Sequence, residues 1–211
     1  MLGIPTSKVE AVRELLLARC VDRILDEMGH DVMAAGAVPV RHPLGFLCFP
    51  IHRATAFGVC LHVWSDNLDF EPPTTSQVHA HSWDLLSYVV TGEIRNDIIA
   101  VVPDPGAATH RLCTIHPSDD GDQIKPTEQL VSHHLVSSEN LSQGQFYTLA
   151  TGLFHTTTAL RETVTIAMAE NQYAAPELSL ASISTRPHTV MRRPGGPADI
   201  KIAARILGVE Q

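Results

Sequence analysis

The chain has 211 residues, of which 44% are hydrophobic and 18% charged, with a formal net charge of −8; this is the size of one domain with extensions and the composition of a globular protein. An acidic balance without a dense Lys/Arg cluster disfavours nucleic acid as a partner, and no apolar run reaches the roughly 20 residues of a membrane-spanning helix, so a membrane is not an expected partner either. Met1-Leu2-Gly3-Ile4-Pro5 lacks the basic start and long apolar stretch of a secretory leader, which makes the cytoplasm the expected compartment.

Ser7 to Met28 predicts one amphipathic helix. Ser7 and Glu10 fit a capping box; Val9, Val12, Leu16, Cys20 and Ile24 form one stripe, and Gly29 is a natural stop. From Pro39 the texture changes to short β-type runs. Gly45–Pro50 and Phe57–Trp64 read as strands, Ser65–Gln77 as a loop, and Val78–His81 with Ser87–Thr91 as the next strand region. Asp97–Val102, Arg111–Ile115, Leu130–Val136, Gln145–Leu149 and Thr163–Ala169 follow as strands, with His116–Asp122 as an acidic turn. Ala174 to Thr189 is mixed, Arg192–Pro197 reads as a turn or linker, and Ala198 to Leu207 as a short helix. Many short strands with regular turn signals predict an all-β sandwich or small barrel, not βαβ units. The expected organisation is a single domain over 1–211, with a helical segment at 1–38, a barrel at 39–172 and an extension at 173–211.

The four cysteines (Cys20, Cys48, Cys60, Cys113) are scattered and form no Cys-x-x-Cys, so they suggest neither a zinc nor a redox motif. Cys48 and Cys60, in apolar strands, are expected to be buried thiols.

His79-Ala80-His81 is the stretch with chemical content. In a strand, residues i and i+2 share a face, so the two imidazoles can aim at one point. With 12 His in the chain, a chance His-x-His is the competing explanation. Downstream, a strand from Gly144 leads into a turn at Gly152, and His155 follows at once.

At these residues the chain resembles the cupin superfamily. Its first motif is His-x-His, a few residues, Glu, then six residues to a Gly; its second runs Gly, five residues, Pro, one residue, Gly, two residues, His. His79, His81 and Gly92 match the first, and Gly144, Gly152 and His155 the second, with Ala150 where Pro is usual. The resemblance covers about Gly45 to Asn171. It implies a jelly-roll double-sheet barrel in which His79, His81 and His155 are metal ligands. Leu85 stands where the family has Glu. Asp84, one residue earlier, is then a fourth ligand, a partner to a ligating ring, or the acceptor for a loop N–H beside Trp83.

Three neutral ligands leave open positions on the ion, as a catalytic metal needs. Imidazole-only ligation suits Fe(II), Ni, Cu or Zn; the resemblance puts Fe(II) first, with Ni, Zn, Mn or Cu as alternatives. A cupin with three His and no Glu resembles the cysteine dioxygenase-like non-haem iron oxygenases, in which substrate and O₂ meet on the iron. The expected function is therefore oxidation of a small anionic metabolite by O₂. The alternatives are an isomerase, epimerase or lyase using the metal as a Lewis acid, with Glu93 or a pocket His moving the proton, and a non-catalytic small-molecule-binding barrel. Expected catalytic residues besides the ligands are Asp84, Tyr147 and Arg95, with Arg53 and Arg111 as further candidates to hold a substrate carboxylate, Tyr88 for a hydrogen-bond role, and Ser87 facing inward. A homodimer is implied by resemblance alone.

Overall fold

The computed structural model describes residues 14, 37–53, 57–118, 120–171 and 175–209, with Arg53 and Phe57 described in backbone only. Apart from Glu14, the expected helix at Ser7 to Met28 lies outside them. Thirteen strands and one helix follow in order: β1 (Val40–His42), β2 (Phe46–Arg53), β3 (Phe57–Trp64), β4 (His79–Ala80), β5 (Asp84–Thr91), β6 (Glu93–Pro103), β7 (His110–Ser118), β8 (Gly121–Ser142), β9 (Phe146–Leu149), β10 (His155–Ala159), β11 (Thr163–Glu170), β12 (Glu177–Ala181), β13 (His188–Val190) and α1 (Pro197–Leu207). They form two antiparallel sheets, ordered β1-β2-β3-β11-β5-β9 and β13-β8-β6-β10-β4-β12-β7. This is the all-β double-sheet fold that the strand pattern predicts, of the jelly-roll type that the resemblance implies, with a short C-terminal helix. Within the expected extension at 173–211, β12 and β13 are strands of the second sheet. The 22-residue β8 extends to both sides of the shorter strand expected at Leu130–Val136. Its first half pairs with β7 and its second half with β6.

The first sheet has two chemically different faces, set by the period-2 alternation of its strands. Leu47, Phe49 and Ile51 on β2, Val59, Leu61 and Val63 on β3, Tyr88 and Val90 on β5, and Val164, Ile166 and Met168 on β11 form one buried cluster with Ala203 and Leu207 of α1. Each large side chain buried there contributes roughly 1.5–3 kcal/mol. The opposite face carries Cys48, Cys60, His62, Ser87 and Thr165 and turns toward the second sheet, where it lines a cavity.

Helix α1 is tied down at its start. Asp199 accepts the Gly196 N–H at 2.9 Å and, with both carboxylate oxygens at 2.6 and 2.7 Å, holds Nη1 of Arg41 on β1. The Arg41 guanidinium also lies 4.6 Å over the Phe70 ring and donates to the Asp69 carbonyl.

Gly92, the glycine of the first motif, joins β5 to β6 with φ +87°. A Cβ there would run into the Glu162 carbonyl and Thr163, whose Oγ1 accepts the Glu93 N–H at 3.0 Å. Gly144 also has a positive φ, +82°, but nothing within 4 Å of a Cβ. Gly92→Ala is therefore expected to cost about 3–5 kcal/mol of stability, combining left-handed strain with a backbone clash, and Gly144→Ala about 1–2 kcal/mol from strain alone. Urea denaturation of the two variants measures the difference; equal losses would contradict the steric account.

Candidate metal centre

The three histidines meet because β10 pairs with β4. His155 is the register partner of His79, and the turn before it is bound to the other motif: the Gly152 N–H donates to the His81 carbonyl at 2.9 Å. His79 and His81, two apart, face the same way. The ring centroids lie 4.2 Å apart for His79 and His155, 4.8 Å for His79 and His81, and 5.1 Å for His81 and His155. One ring nitrogen from each lies within 4.8 Å of the other two. The three side chains form a group that could hold one metal ion.

The hydrogen bonding fits a cation. His79 Nδ1 is 2.9 Å from the Gln77 carbonyl, which can only accept, so the proton sits on Nδ1 and the Nε2 lone pair is available. Nδ1 of His81 and of His155 is buried without a hydrogen-bond partner. An unmet buried polar atom costs about 1–3 kcal/mol, and a shared cation offsets part of that. Burial also keeps the rings neutral, the form that binds metal. It lowers the pKa of His79 against the pull of the Gln77 carbonyl. It lowers that of His81 further, with the like charges of His79 and His155 adding to the effect. His155 falls to about 3, through burial first and the charge of His79 second.

The rings open into a cavity of about 420 Å³ between the sheets. Trp83 stacks on His81 at 4.0 Å, and its indole N–H donates to Glu177 Oε1 at 3.3 Å. Glu177 reaches this position through register: β12 pairs Leu178 with Ala80 and Ser179 with His79, so Glu177 comes opposite His81. Arg192 is on the cavity wall, with its Nε 2.5 Å from Asp122 Oδ2. Neither Glu177 nor Arg192 is visible as a site residue in the sequence. The available signal was the alternation Glu177-Leu178-Ser179-Leu180, which marks a strand with Glu177 and Ser179 on one face.

Of the other expected residues, Tyr147 and Ser87 line the cavity. The Tyr147 hydroxyl is 3.2 Å from Thr157 Oγ1, and burial raises its pKa. Asp84 is outside the lining. Its Oδ1 accepts from the Thr151 N–H and hydroxyl, both at 2.8 Å, and its Oδ2 from Asn171 Nδ2 at 3.0 Å. The Asn171 contact, then those of Thr151, hold its carboxyl below the ordinary value. Asp84 thus fastens the start of β5 to the turn that precedes His155. Arg95 is half exposed on β6, 3.3 Å from Asp97, and does not border the cavity. Arg111 donates to the carbonyls of Ile183 and Thr127, and Glu93 faces Arg161 at 3.4 Å. Tyr88 packs in the core under α1.

No protein-family model and no curated protein matches the chain. Solved structures similar to it include cupins. A cupin superfamily protein from Desulfitobacterium hafniense is 9% identical, with a TM-score of 0.35 over 60% of this chain and 77% of that one. A cupin-2 domain containing protein from Shewanella frigidimarina is 13% identical, with a TM-score of 0.32 over 59% and 79%. A hydroquinone 1,2-dioxygenase in complex with Cd²⁺ and 4-hydroxybenzonitrile is 15% identical, with a TM-score of 0.33 over 58% and 62%. Among the described residues, no helix is long and apolar enough to cross a membrane.

The depressed imidazoles set a pH dependence. In the metal-free fold the three rings stay neutral below the ordinary value of 6.5, so unfolding takes up protons as the pH falls under it. Their contribution is complete above 6.5 and is lost as the pH drops toward the value of about 3 for His155. Urea midpoints of the metal-free protein should fall between about pH 7 and about pH 5, and less steeply in His155→Gln. The same slope in both proteins would contradict the burial argument.

Proposed function

We propose that the protein is a metal-dependent oxygenase of the cupin type. It uses Fe(II) held by His79, His81 and His155, with Ni, Zn, Mn or Cu as alternative occupants, and acts with O₂ on a small anionic metabolite. The observation that carries this reading is the convergence of three neutral imidazoles, with no carboxylate among them, at the wall of a cavity between the two sheets. Bound there, such an ion would supply the activation of O₂ and substrate that the chain's own side chains cannot.

The chain's own residues supply binding, orientation and exclusion of water. Arg192, oriented by Asp122, provides the guanidinium for a substrate carboxylate or phenolate. The hydroxyls of Tyr147, Thr157 and Ser87 orient the polar end of the substrate. Phe46, Trp64 and Trp83 give the cavity its aromatic walls. Asp84 acts at a distance, by fixing the turn that presents His155. Arg95, away from the cavity, has no part in this reading.

A second reading is favoured by one observation, the carboxylate of Glu177 beside His81. There the ion is a Lewis acid and Glu177 the base of a proton transfer, as in an isomerase or lyase.

Anaerobic loading with Fe(II), followed by O₂ uptake against a panel of small carboxylates and phenols, tests the first reading. Substrate-dependent uptake is expected, with His81→Ala lowering ion affinity at least about 100-fold. Arg192→Met is expected to raise KM about tenfold or more, with a smaller change in kcat. Turnover that is independent of O₂, supported equally by Zn or Mn and lost in Glu177→Gln, would replace the first reading with the second.

A further inference from the structure

The wall of the cavity facing the three histidines holds a second group of metal-binding side chains: Cys48, Cys60 and His62, whose Sγ, Sγ and ring nitrogen all lie within 4.8 Å of one another. The geometry points to a second cation site at this group, selective for a thiophilic ion of the zinc class and distinct from the three-histidine centre.

The backbone explains the cluster. Cys60 and His62 are two apart on β3 and share a face, as His79 and His81 do on the other sheet. Cys48 on β2 is the register partner of His62, while Cys60 pairs with Pro50 one step along. A directly opposed pair and a diagonal neighbour thus converge from two strands on one face. That face is the cavity side of the sheet. There Cys48 packs with Phe46 and Trp64, and Cys60 lies against them, apart from the core under α1. Phe46 stacks between the His42 and His62 rings, with centroids 4.3 Å from each, and thereby fixes the imidazole of His62.

The donor set decides the ion. Two thiolates and one imidazole are soft to borderline ligands that favour Zn²⁺ over Fe(II), Mg²⁺ or Ca²⁺. Two sulfurs and a nitrogen around tetrahedral zinc stand roughly 3.5–3.8 Å apart, inside the observed limit, and the fourth position would face the cavity. Binding displaces the two thiol protons to solvent, so the ion and its two thiolates add no net charge to the cavity wall.

Anaerobic titration of the reduced full chain with Co²⁺ tests the site, because thiolate-to-cobalt charge transfer absorbs in the near ultraviolet and imidazole ligation does not produce that band. The wild-type chain should bind two Co²⁺ and show the band. A Cys48→Ser, Cys60→Ser double variant should bind one and lose it, and a His79→Ala, His81→Ala variant should lose one ion and keep it. Should the cysteine variant fail to fold by circular dichroism, His62→Ala must weaken the titration of the band at least about tenfold. Absence of the band in the wild type overturns the proposal. So does a band that survives the cysteine variant or is unmoved by His62→Ala, or a Cys48–Cys60 disulfide in the freshly purified protein. Because the band is read separately from the three-histidine ion and from O₂ uptake, either site can fail alone.

Discussion

The pairing of His155 with His79 across β10 and β4 is the contact on which the rest depends. β4 is two residues long and has little holding power of its own. It is kept in place by β10 on one side and β12 on the other. That double pairing brings one imidazole from 76 positions further along the chain against two from a single short backbone segment, and it delivers Glu177 to the same place. The hydrogen bond from Gly152 to the His81 carbonyl and the grip of Asp84 on Thr151 fix the turn on which the arrangement hangs. The convergence costs desolvation and leaves two ring nitrogens unmet. A cation held by the three rings would offset part of that cost.

The cavity exists because the first sheet solves two problems with one alternation. Its outer face is aliphatic and aromatic and buries itself against α1. The inner face, freed from that task, can carry sulfur, imidazole and hydroxyl groups. Asp199 ties α1 to Arg41 on β1 over the outer face, while the polar groups of the inner face line the cavity between the sheets. In that low-dielectric space an imidazole stays neutral and a guanidinium needs its carboxylate, as the depressed histidines and the Arg192–Asp122 pair illustrate.

The strands and the three histidines are readable from sequence because they rest on local signals. Alternation marks β3 and β11, and the spacing of Gly92, Gly144 and Gly152 relative to the histidines marks the two motifs. Gly92 also has a steric reason that is visible only in the fold, the approach of Thr163 and the Glu162 carbonyl. What escapes local reading is whatever depends on long-range register. Glu177 lies in a short alternation that marks a strand, but it matters only because β12 lines up with β4. Arg192 lies in a segment that reads as a linker, yet meets Asp122 seventy residues away. Cys48 and Cys60, twelve residues apart, look like ordinary strand thiols until the β2–β3 register sets them beside His62. Asp84 and Arg95 show the converse. Their proximity in sequence to the motif suggests chemistry, while their side chains point to a turn and to a strand neighbour.

The most direct test of the central claim is anomalous diffraction from crystals of the reduced protein grown with Fe(II) under anaerobic conditions. The account predicts a peak at bonding distance, about 2.0–2.2 Å, from one ring nitrogen each of His79, His81 and His155. Well-ordered rings with no peak between them would contradict it.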